Sequence, residues 1–377
     1  TRFGGWIPLY HDMGLVALLC TPLLLGGTTV LTSPSSFLRQ PLNWLRMIDE
    51  YDVRNSAAPN FAYERCTRMT TDEQLSTLDL SRWECAINGS EPIHAPTMAA
   101  FTAKFAAAGF RASTMTPGYG MAEATVYVSS KAPDERPKVL RVDPDLADVG
   151  VLQPIPDGER AVVSCGTPAD YDVRIVEPAT RVVRPDGEVG EIWLRGPSVA
   201  QGYWGRDEAT RATFRAGTAG GEHGFLRTGD LGAVHQGELY ITGRLKEMLI
   251  VHGRNIFPQD LEHLARTTDP ALTGLVGAAF GVSAPGERVV IVHEIANPKA
   301  DLPAIGMAIK EQLTSAFGIP VGNVVLVRRG MVSRTTSGKI ERGTTRAHFL
   351  SGELRALHMD LEPVVARLVA RGQAVAG

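Results

Sequence analysis

A small-residue loop with a single lysine lies near the end of the sequence, where it reads RTTSGKIER over residues 334–342. The backbone N–H groups of such a loop and the ammonium group of Lys339 both suit an anion, so the loop resembles a phosphate cradle. It is not a Walker loop, because the four-residue spacer between two glycines is missing and neither Ser nor Thr follows the lysine. The residues alone leave a second interpretation open, which is an ordinary solvated surface loop.

A tyrosine between two glycines and a nearby glutamate form a second group, within TPGYGMAEAT at residues 116–125. Glycine lets a backbone approach a ligand closely, and the ring of Tyr119 offers that ligand a flat face. Glu123 provides a hard oxygen of the kind that Mg²⁺ accepts. The alternative is a tight turn between a strand and a helix, with Glu123 on the first helical turn.

Two further segments place charges beside glycines, RTGDLG at residues 227–232 and ITGRLK at residues 241–246. Asp230 in the first segment can accept hydrogen bonds from vicinal hydroxyls such as those of a ribose. An Asx-type turn ahead of a strand explains the same residues equally well. In the second segment a strand ends in a charged junction with Arg244 and Lys246, and a plain connector is the alternative.

The elements that must position these segments are α/β in the first half of the chain, because short apolar strands alternate with helical patterns. The pattern predicts a helix at 41–51, a strand at 85–88 and a helix at 92–105. The apolar stretch Leu15–Leu31 predicts a buried helix that runs through Gly26 and Gly27 into a buried strand, since it is short for a membrane span.

From about Ser164 the pattern becomes that of a small antiparallel sheet or barrel, with strands at 173–176, 190–195 and 239–242. A compact α+β module then follows, including a helix at Leu302–Phe317 with Asp301 as its N-cap. The tail at Leu354–Val369 has an amphipathic helical pattern that Pro363 interrupts. We therefore predict two parts, 1–244 and 245–377, the first a mixed α/β sheet with a small β-barrel-like sheet.

Composition excludes several classes of function. The 377 residues carry a formal net charge of −3 and no long basic run, which argues against a nucleic-acid partner. We expect no transmembrane segment. Four cysteines without a CxxC pair favour a reducing cytoplasm. The chain opens without Met and without a signal peptide, so we expect that the sequence starts within a longer protein.

Taken in order, these segments resemble the adenylate-forming superfamily of acyl-CoA synthetases, luciferases and peptide-synthetase adenylation domains. The likeness is greatest to the fatty-acyl-AMP ligases. It is carried by WIPLYHDMGL at 6–15, NGSEP at 88–92, GPSVAQGYW at 196–204 and HGRNIFPQD at 252–260. The resemblance implies that residues 1–244 are the C-terminal part of a large adenylating domain and residues 245–377 a mobile C-terminal subdomain.

In such families a carboxylate attacks the α-phosphate of ATP, giving acyl-AMP and pyrophosphate. The resemblance implies that Lys339 contacts the carboxylate and the α-phosphate, and that Glu123 holds Mg²⁺. It implies that Asp230 binds the ribose hydroxyls, with Arg244 beside it. The remaining implied positions are around adenine, at the acyl pocket wall and at the hinge between domains: Asn88, Gly89, Ser90, Tyr119 and Gly120; His11; and Lys246.

Two features bear on what happens to the acyl-AMP. Fatty-acyl-AMP ligases carry an insertion where this chain has a long segment at 130–163. The resemblance implies that this segment lies between the two domains and limits the domain rotation that thioester formation needs. Such ligases pass the acyl group to the phosphopantetheine arm of an acyl carrier protein. A tolerated surface loop is the alternative for this segment.

The family's loop that grips the β- and γ-phosphates should precede the motif at 6–15, and no such loop occurs in this sequence. Ser333 also stands where these families usually have proline. The missing loop leaves open a truncated, non-catalytic protein that binds nucleotide, lipid or a carrier protein. A fatty-acyl-CoA synthetase is the other alternative, and the segment 130–163 is the feature that distinguishes it.

Overall fold

The computed structural model describes residues 1–168, 170–284, 286–336 and 338–376. The chain forms two compact units, Thr1–Leu245 and Lys246–Gly377. The roles that we predict for the two parts, an adenylating domain and a mobile subdomain, stay predictions.

The first unit is built on a six-stranded sheet in the order β2-β1-β3-β4-β5-β6. Neighbouring strands are parallel except β5 and β6, which are antiparallel. The strands are β1 (Arg2–Gly5), β2 (Thr28–Leu31), β3 (Asn55–Ala58), β4 (Cys85–Asn88), β5 (Met115–Tyr119) and β6 (Ser129–Ser130). The predicted strand at 85–88 is confirmed. Because β4 and β5 are parallel neighbours, the segments that follow them lie at the same edge of the sheet.

Helices flank this sheet and bury an aromatic core. Trp6 stacks on Phe37 with ring centroids 4.0 Å apart, and Trp44 meets Trp83 edge-on at 5.5 Å. The α-helices of the unit are α1 (Thr21–Leu24), α2 (Pro34–Arg39), α3 (Leu42–Glu50), α4 (Asn60–Met69), α5 (Asp72–Leu75), α6 (Ala95–Phe105), α7 (Pro144–Asp148) and α8 (Asp207–Phe214).

Helices α3 and α6 confirm two predictions from the hydrophobic pattern. Leu42, Leu45 and Ile48 on α3 are all buried, as their spacing predicts. Helix α6 begins later than predicted, because His94 has extended backbone angles and Pro96 occupies the first turn.

The burial predicted for the stretch Leu15–Leu31 is wrong, although its helix and strand are present. A wide π-type helix at Met13–Cys20 continues into α1, and β2 follows as an edge strand. Leu24, at the end of α1, is 87% exposed. The pattern gave the element types but not the exposure, because an edge strand and a helix end leave apolar side chains uncovered. Within the described residues, no helix has the length and apolarity that crossing a membrane requires.

An antiparallel sheet forms the rest of the first unit, as predicted. Its order is β11-β12-β10-β9, with β13 paired to β12. The strands are β7 (Val139–Val142) and β8 (Arg160–Val163) in a separate hairpin, then β9 (Asp172–Val176), β10 (Gly190–Arg195), β11 (Ala216–Gly217), β12 (His223–His235) and β13 (Glu238–Arg244). The hairpin lies in the segment 130–163, and its Val142 and Leu152 pack with Ala233 and Tyr240 of the antiparallel sheet. This segment is therefore ordered against the first unit's own sheet.

The second unit is α+β, as predicted, with a four-stranded sheet in the order β16-β17-β18-β19. Its strands are β14 (Leu249–Val251), β15 (Arg254–Ile256), β16 (Gly277–Ser283), β17 (Glu287–Ile295), β18 (Asn323–Arg328) and β19 (Ala356–Asp360). Its helices are α9 (Pro258–Thr267), α10 (Leu302–Phe317), α11 (Arg342–Ser351) and α12 (Pro363–Ala376). Asp301 caps α10 by accepting a 3.1 Å hydrogen bond from the Ala304 N–H.

The helix predicted at Leu354–Val369 is wrong in its first half. Residues Ala356–Asp360 form β19, which pairs antiparallel with β18. Pro363 begins α12 instead of interrupting a helix, because proline is tolerated in the first helical turn. Residues 356–360 form a strand because they pair with the buried strand β18, and a local pattern does not reveal such pairing.

Candidate active site

Three of the residues predicted for the site, Tyr119, Asp230 and Arg244, are joined by hydrogen bonds to the buried carboxylate of Asp230. Asp230 lies on β12 and is 6% exposed. The Tyr119 hydroxyl donates a 2.7 Å hydrogen bond to Asp230 Oδ2, and Arg244 Nε donates one of 2.9 Å to Oδ1. Asp230 and Arg244 face each other across the pairing of β12 with β13, whereas Tyr119 comes from the other sheet. The structure therefore connects the two sheets of the unit at this carboxylate.

Burial governs the protonation of this group. Burial raises the pKa of Asp230, while the charge of Arg244 and the hydroxyl of Tyr119 oppose that rise. Burial and the neighbouring Asp230 together raise the pKa of Tyr119 well above its ordinary value. Tyr119 therefore stays a hydrogen-bond donor throughout the physiological range.

Glu123 lies on a short 3₁₀ turn, Ala122–Ala124, that is followed by two residues in an unusual conformation. Thr125 and Val126 have φ of 56° and 71°. Positive φ is costly for β-branched residues and persists only where the surroundings enforce it. The Tyr171 hydroxyl lies 3.0 Å from the carbonyl oxygen of Ala124, within hydrogen-bonding distance, and so holds this turn in place.

The Glu123 carboxylate accepts a 2.8 Å hydrogen bond from the Tyr203 hydroxyl, and its backbone carbonyl accepts one of 2.8 Å from the Ala200 N–H. Burial and this contact raise the pKa of Tyr203 to about 12. Among the described residues no group of three or more His, Cys, Asp or Glu side chains could hold a metal ion. A single carboxylate fits Mg²⁺, which is usually bound through one or two carboxylates together with substrate phosphates and water.

The glycines of the site bring backbone against backbone. A Cβ atom on Gly89 would lie 2.7 Å from the Gly118 carbonyl oxygen. A Cβ atom on Gly120 would lie 1.5 Å from the Val126 carbonyl oxygen. Any side chain at Gly120 would therefore displace the turn that carries Glu123. This packing role was not anticipated from the sequence, which suggested only a close approach to a ligand.

The segment Asn88–Ser90 follows β4 and meets His11. Asn88 is fully buried, and its Nδ2 donates a 3.3 Å hydrogen bond to Asn60 Oδ1. Among the described residues its Oδ1 has no hydrogen-bond partner. Ser90 has φ of 72°, and its Oγ lies 3.4 Å from His11 Nε2. Asn60 was missed by sequence reasoning, because nothing in its surroundings links it to the segment after β4.

His11 contacts Asp12 through its other ring nitrogen. Its Nδ1 lies 2.6 Å from Asp12 Oδ1, and the same oxygen accepts a 2.8 Å hydrogen bond from the Met13 N–H. The structure thus places the residue predicted for the acyl pocket wall beside Ser90, one of the residues predicted around adenine.

Lys339 and Lys246 belong to the second unit. In the lysine loop the Thr335 N–H donates a 2.8 Å hydrogen bond to the Lys339 carbonyl oxygen, and the Lys339 N–H donates one of 3.0 Å to Thr335 Oγ1. Lys246 is the first residue of this unit. The approach of Lys339 to Glu123 and Asp230 stays a prediction.

Comparison with known proteins shows similarity to AMP-binding enzymes and to fatty-acid ligases. The profile of the AMP-binding enzymes matches residues 1–204. The medium-chain-fatty-acid–[acyl-carrier-protein] ligase JamA of Moorena producens is 42% identical over 93% of this chain and 61% of its own length. The long-chain-fatty-acid–AMP ligase FadD26 of Mycobacterium marinum is 40% identical over 96% of this chain and 64% of its own.

A solved structure from a study of the fatty acyl-adenylate ligases of E. coli and L. pneumophila has a similar fold. It superposes with a TM-score of 0.83 at 30% identity, covering 93% of this chain and 63% of that one. The chain thus spans about three fifths of the length of the curated relatives it matches.

Proposed function

Because the chain belongs to the AMP-binding enzyme family, we propose that it takes part in ATP-dependent activation of a fatty acid to fatty-acyl-AMP, with release of pyrophosphate. The observation that carries this proposal is the buried Asp230, held between Tyr119 and Arg244 at the junction of two sheets. The similarity to fatty-acid ligases over nearly the whole chain supports the choice of substrate class.

Asp230 is suited to a ribose. An ionised carboxylate offers about four lone-pair sites, and Tyr119 and Arg244 use two of them. Two sites then remain for the vicinal hydroxyls of a nucleotide. The fixed position of the carboxylate means that little ordering is needed when the nucleotide binds.

The reaction needs positioning and charge stabilisation more than covalent help from the protein. A carboxylate oxygen of the fatty acid attacks the α-phosphorus, the bond from that phosphorus to the bridging oxygen breaks, and pyrophosphate leaves with the electron pair. Lys339 stabilises the negative charge that develops at the α-phosphate. Glu123 would hold Mg²⁺, which neutralises phosphate charge when bound. Asn88, Gly89 and Ser90 would border the adenine, and His11 the acyl chain.

We propose that the acyl group then passes to an acyl carrier protein. Two relatives, of Moorena producens and Teredinibacter turnerae, bear that acceptor in their names. In this proposal the second unit pivots at Lys246, and the hairpin within 130–163 restricts the pivot. The four free cysteines suit a reducing compartment, and we place the reaction in the cytoplasm.

Exchange of labelled pyrophosphate into ATP that depends on fatty acid tests the proposal. The assay uses the longest protein that the gene encodes. We expect exchange that requires both fatty acid and Mg²⁺ and that falls by more than about a hundredfold in Asp230→Ala. Asp186→Ala, at an exposed carboxylate on the same unit, is the matched control. Exchange that does not depend on fatty acid, or that survives in Asp230→Ala, would overturn the proposal. Offering CoA and carrier protein in parallel then identifies the acceptor.

A further inference from the structure

Backbone hydrogen bonds join residues on the two sides of the loop that carries Lys339. Besides the turn between Thr335 and Lys339, the Glu341 N–H donates a 2.9 Å hydrogen bond to the Ser333 carbonyl. Arg334 and Ile340 form an isolated β-bridge. Ile340 also packs against the unit's apolar core. The position of Lys339 therefore depends strongly on the contacts that fix the residues before and after this loop.

The end before the lysine is fixed by Glu294, which lies on β17 and is fully buried. Glu294 Oε1 accepts hydrogen bonds from the backbone N–H groups of Gly330 and Val332, at 2.8 and 3.3 Å. Its Oε2 lies 3.2 Å from Arg334 Nη2. One buried carboxylate thus orders the chain that leads into the loop.

The end after the lysine is fixed by a second carboxylate. Arg342, the first residue of α11, donates through Nε and Nη2 to the two oxygens of Glu262, each at 2.7 Å. Its Nη1 donates a 2.6 Å hydrogen bond to Glu247, the residue after Lys246. Glu262 is 7% exposed and also accepts from the Ala279 N–H at 2.9 Å.

The buried pair of Arg342 and Glu262 requires a stricter geometry than an ion pair on the surface. Burial raises the pKa of the Glu262 carboxyl, and Arg342 opposes that rise. The planar guanidinium fits both carboxylate oxygens at once, which fixes direction as well as distance. A lysine at this position would keep the charge but lose the two-point contact.

We propose that Arg342, held by Glu262 and Glu247, is a positioning residue for Lys339. The inference rests on the proposed function, in which Lys339 stabilises charge at the α-phosphate. Arg342 is three residues from Lys339, so a tilt at the start of α11 is passed directly to the lysine. A displacement of about 1 Å at a charge-stabilising group can lower a rate by about a hundredfold. The contact to Glu247 also ties this end of the loop to the residue beside Lys246.

The test compares Arg342→Lys with Arg288→Lys, a matched control at a partly exposed arginine of the same unit that lies 3.7 Å from Glu362. We expect kcat for acyl-AMP formation to fall by about tenfold to a hundredfold in Arg342→Lys, with KM for ATP changed by less than about twofold. A rise in KM that accounts for the whole loss, or a kcat equal to that of the control, overturns the proposal.

Site-resolved hydrogen exchange separates positioning from simple loss of stability and does not depend on activity. In Arg342→Lys we expect about tenfold faster exchange at the amides of Lys339 and Glu341, with β16 to β18 unchanged. Faster exchange throughout the unit, or none in the loop, overturns the proposal. Glu247→Gln should give a smaller change in the same loop, because Glu262 still holds the arginine.

The two claims can fail separately. If wild type and Lys339→Ala form product equally, the role proposed for Lys339 fails, and hydrogen exchange alone then decides whether Arg342 positions the loop. If Lys339→Ala loses activity but Arg342→Lys does not, only the positioning role is overturned.

Discussion

Replacing Tyr119 with phenylalanine removes one defined interaction from the site, the 2.7 Å hydrogen bond to Asp230. The acceptor is a carboxylate that is only 6% exposed, so water cannot readily replace the lost donor. Arg244 still pairs with the other oxygen, which limits the loss. A hydrogen bond to a charged group contributes about 1.5–3 kcal/mol, and we expect the free energy of unfolding of the first unit to fall by about 2 kcal/mol.

Chemical denaturation followed by the fluorescence of the buried tryptophans measures this change. For a unit of this size the melting temperature should fall by about 4–8 °C. Tyr203→Phe is the matched control, because Tyr203 donates a similar 2.8 Å hydrogen bond to Glu123 but is 38% exposed. We expect that control to lose less than about 1 kcal/mol. Equal losses of stability in the two variants would show that burial of Asp230 does not strengthen its hydrogen bonds.

Two further substitutions test other parts of the site. In Arg244→Gln the pKa of Asp230 should rise further, because burial raises it and Arg244 opposes that rise. Adenosine binding, measured by calorimetry from pH 8 downward, should then be lost at a higher pH than in wild type. An unchanged pH midpoint of binding would argue against ionised Asp230 as the ribose ligand. Gly120→Ala should cost more than about 2 kcal/mol of stability, because the new Cβ would lie 1.5 Å from the Val126 carbonyl oxygen. The control Gly220→Ala meets nothing closer than 3.7 Å and should be nearly neutral; equal melting temperatures for the two variants would contradict the packing argument.

Much of the fold was predictable because strand and helix periods are local. The pattern gave α3, β4 and α10 and the change from an α/β to an antiparallel sheet. It failed where burial and pairing depend on distant parts of the chain. Leu23 and Leu24 of α1 are exposed, and Ala356–Asp360 forms a strand because it pairs with β18.

The candidate site was predictable in its residue types and less so in its contacts. Asp230 and Arg244 were expected beside each other and pair across two adjacent strands. The hydrogen bond from Tyr119 to Asp230 joins residues 111 positions apart, and no local pattern announces it. Glu262 and Glu294 were missed for a similar reason, since each lies among apolar residues of a regular element and its partner follows much later in the chain.

We propose that Lys339 acts on the α-phosphate of ATP during formation of acyl-AMP. The most direct measurement is single-turnover formation of acyl-AMP from a medium-chain fatty acid, ATP and Mg²⁺ by wild type and Lys339→Ala. Lys299→Ala, at an exposed lysine of the same unit, is the control. We expect Lys339→Ala to slow this step by at least about a hundredfold and Lys299→Ala to match wild type. Equal rates in wild type and Lys339→Ala would contradict it.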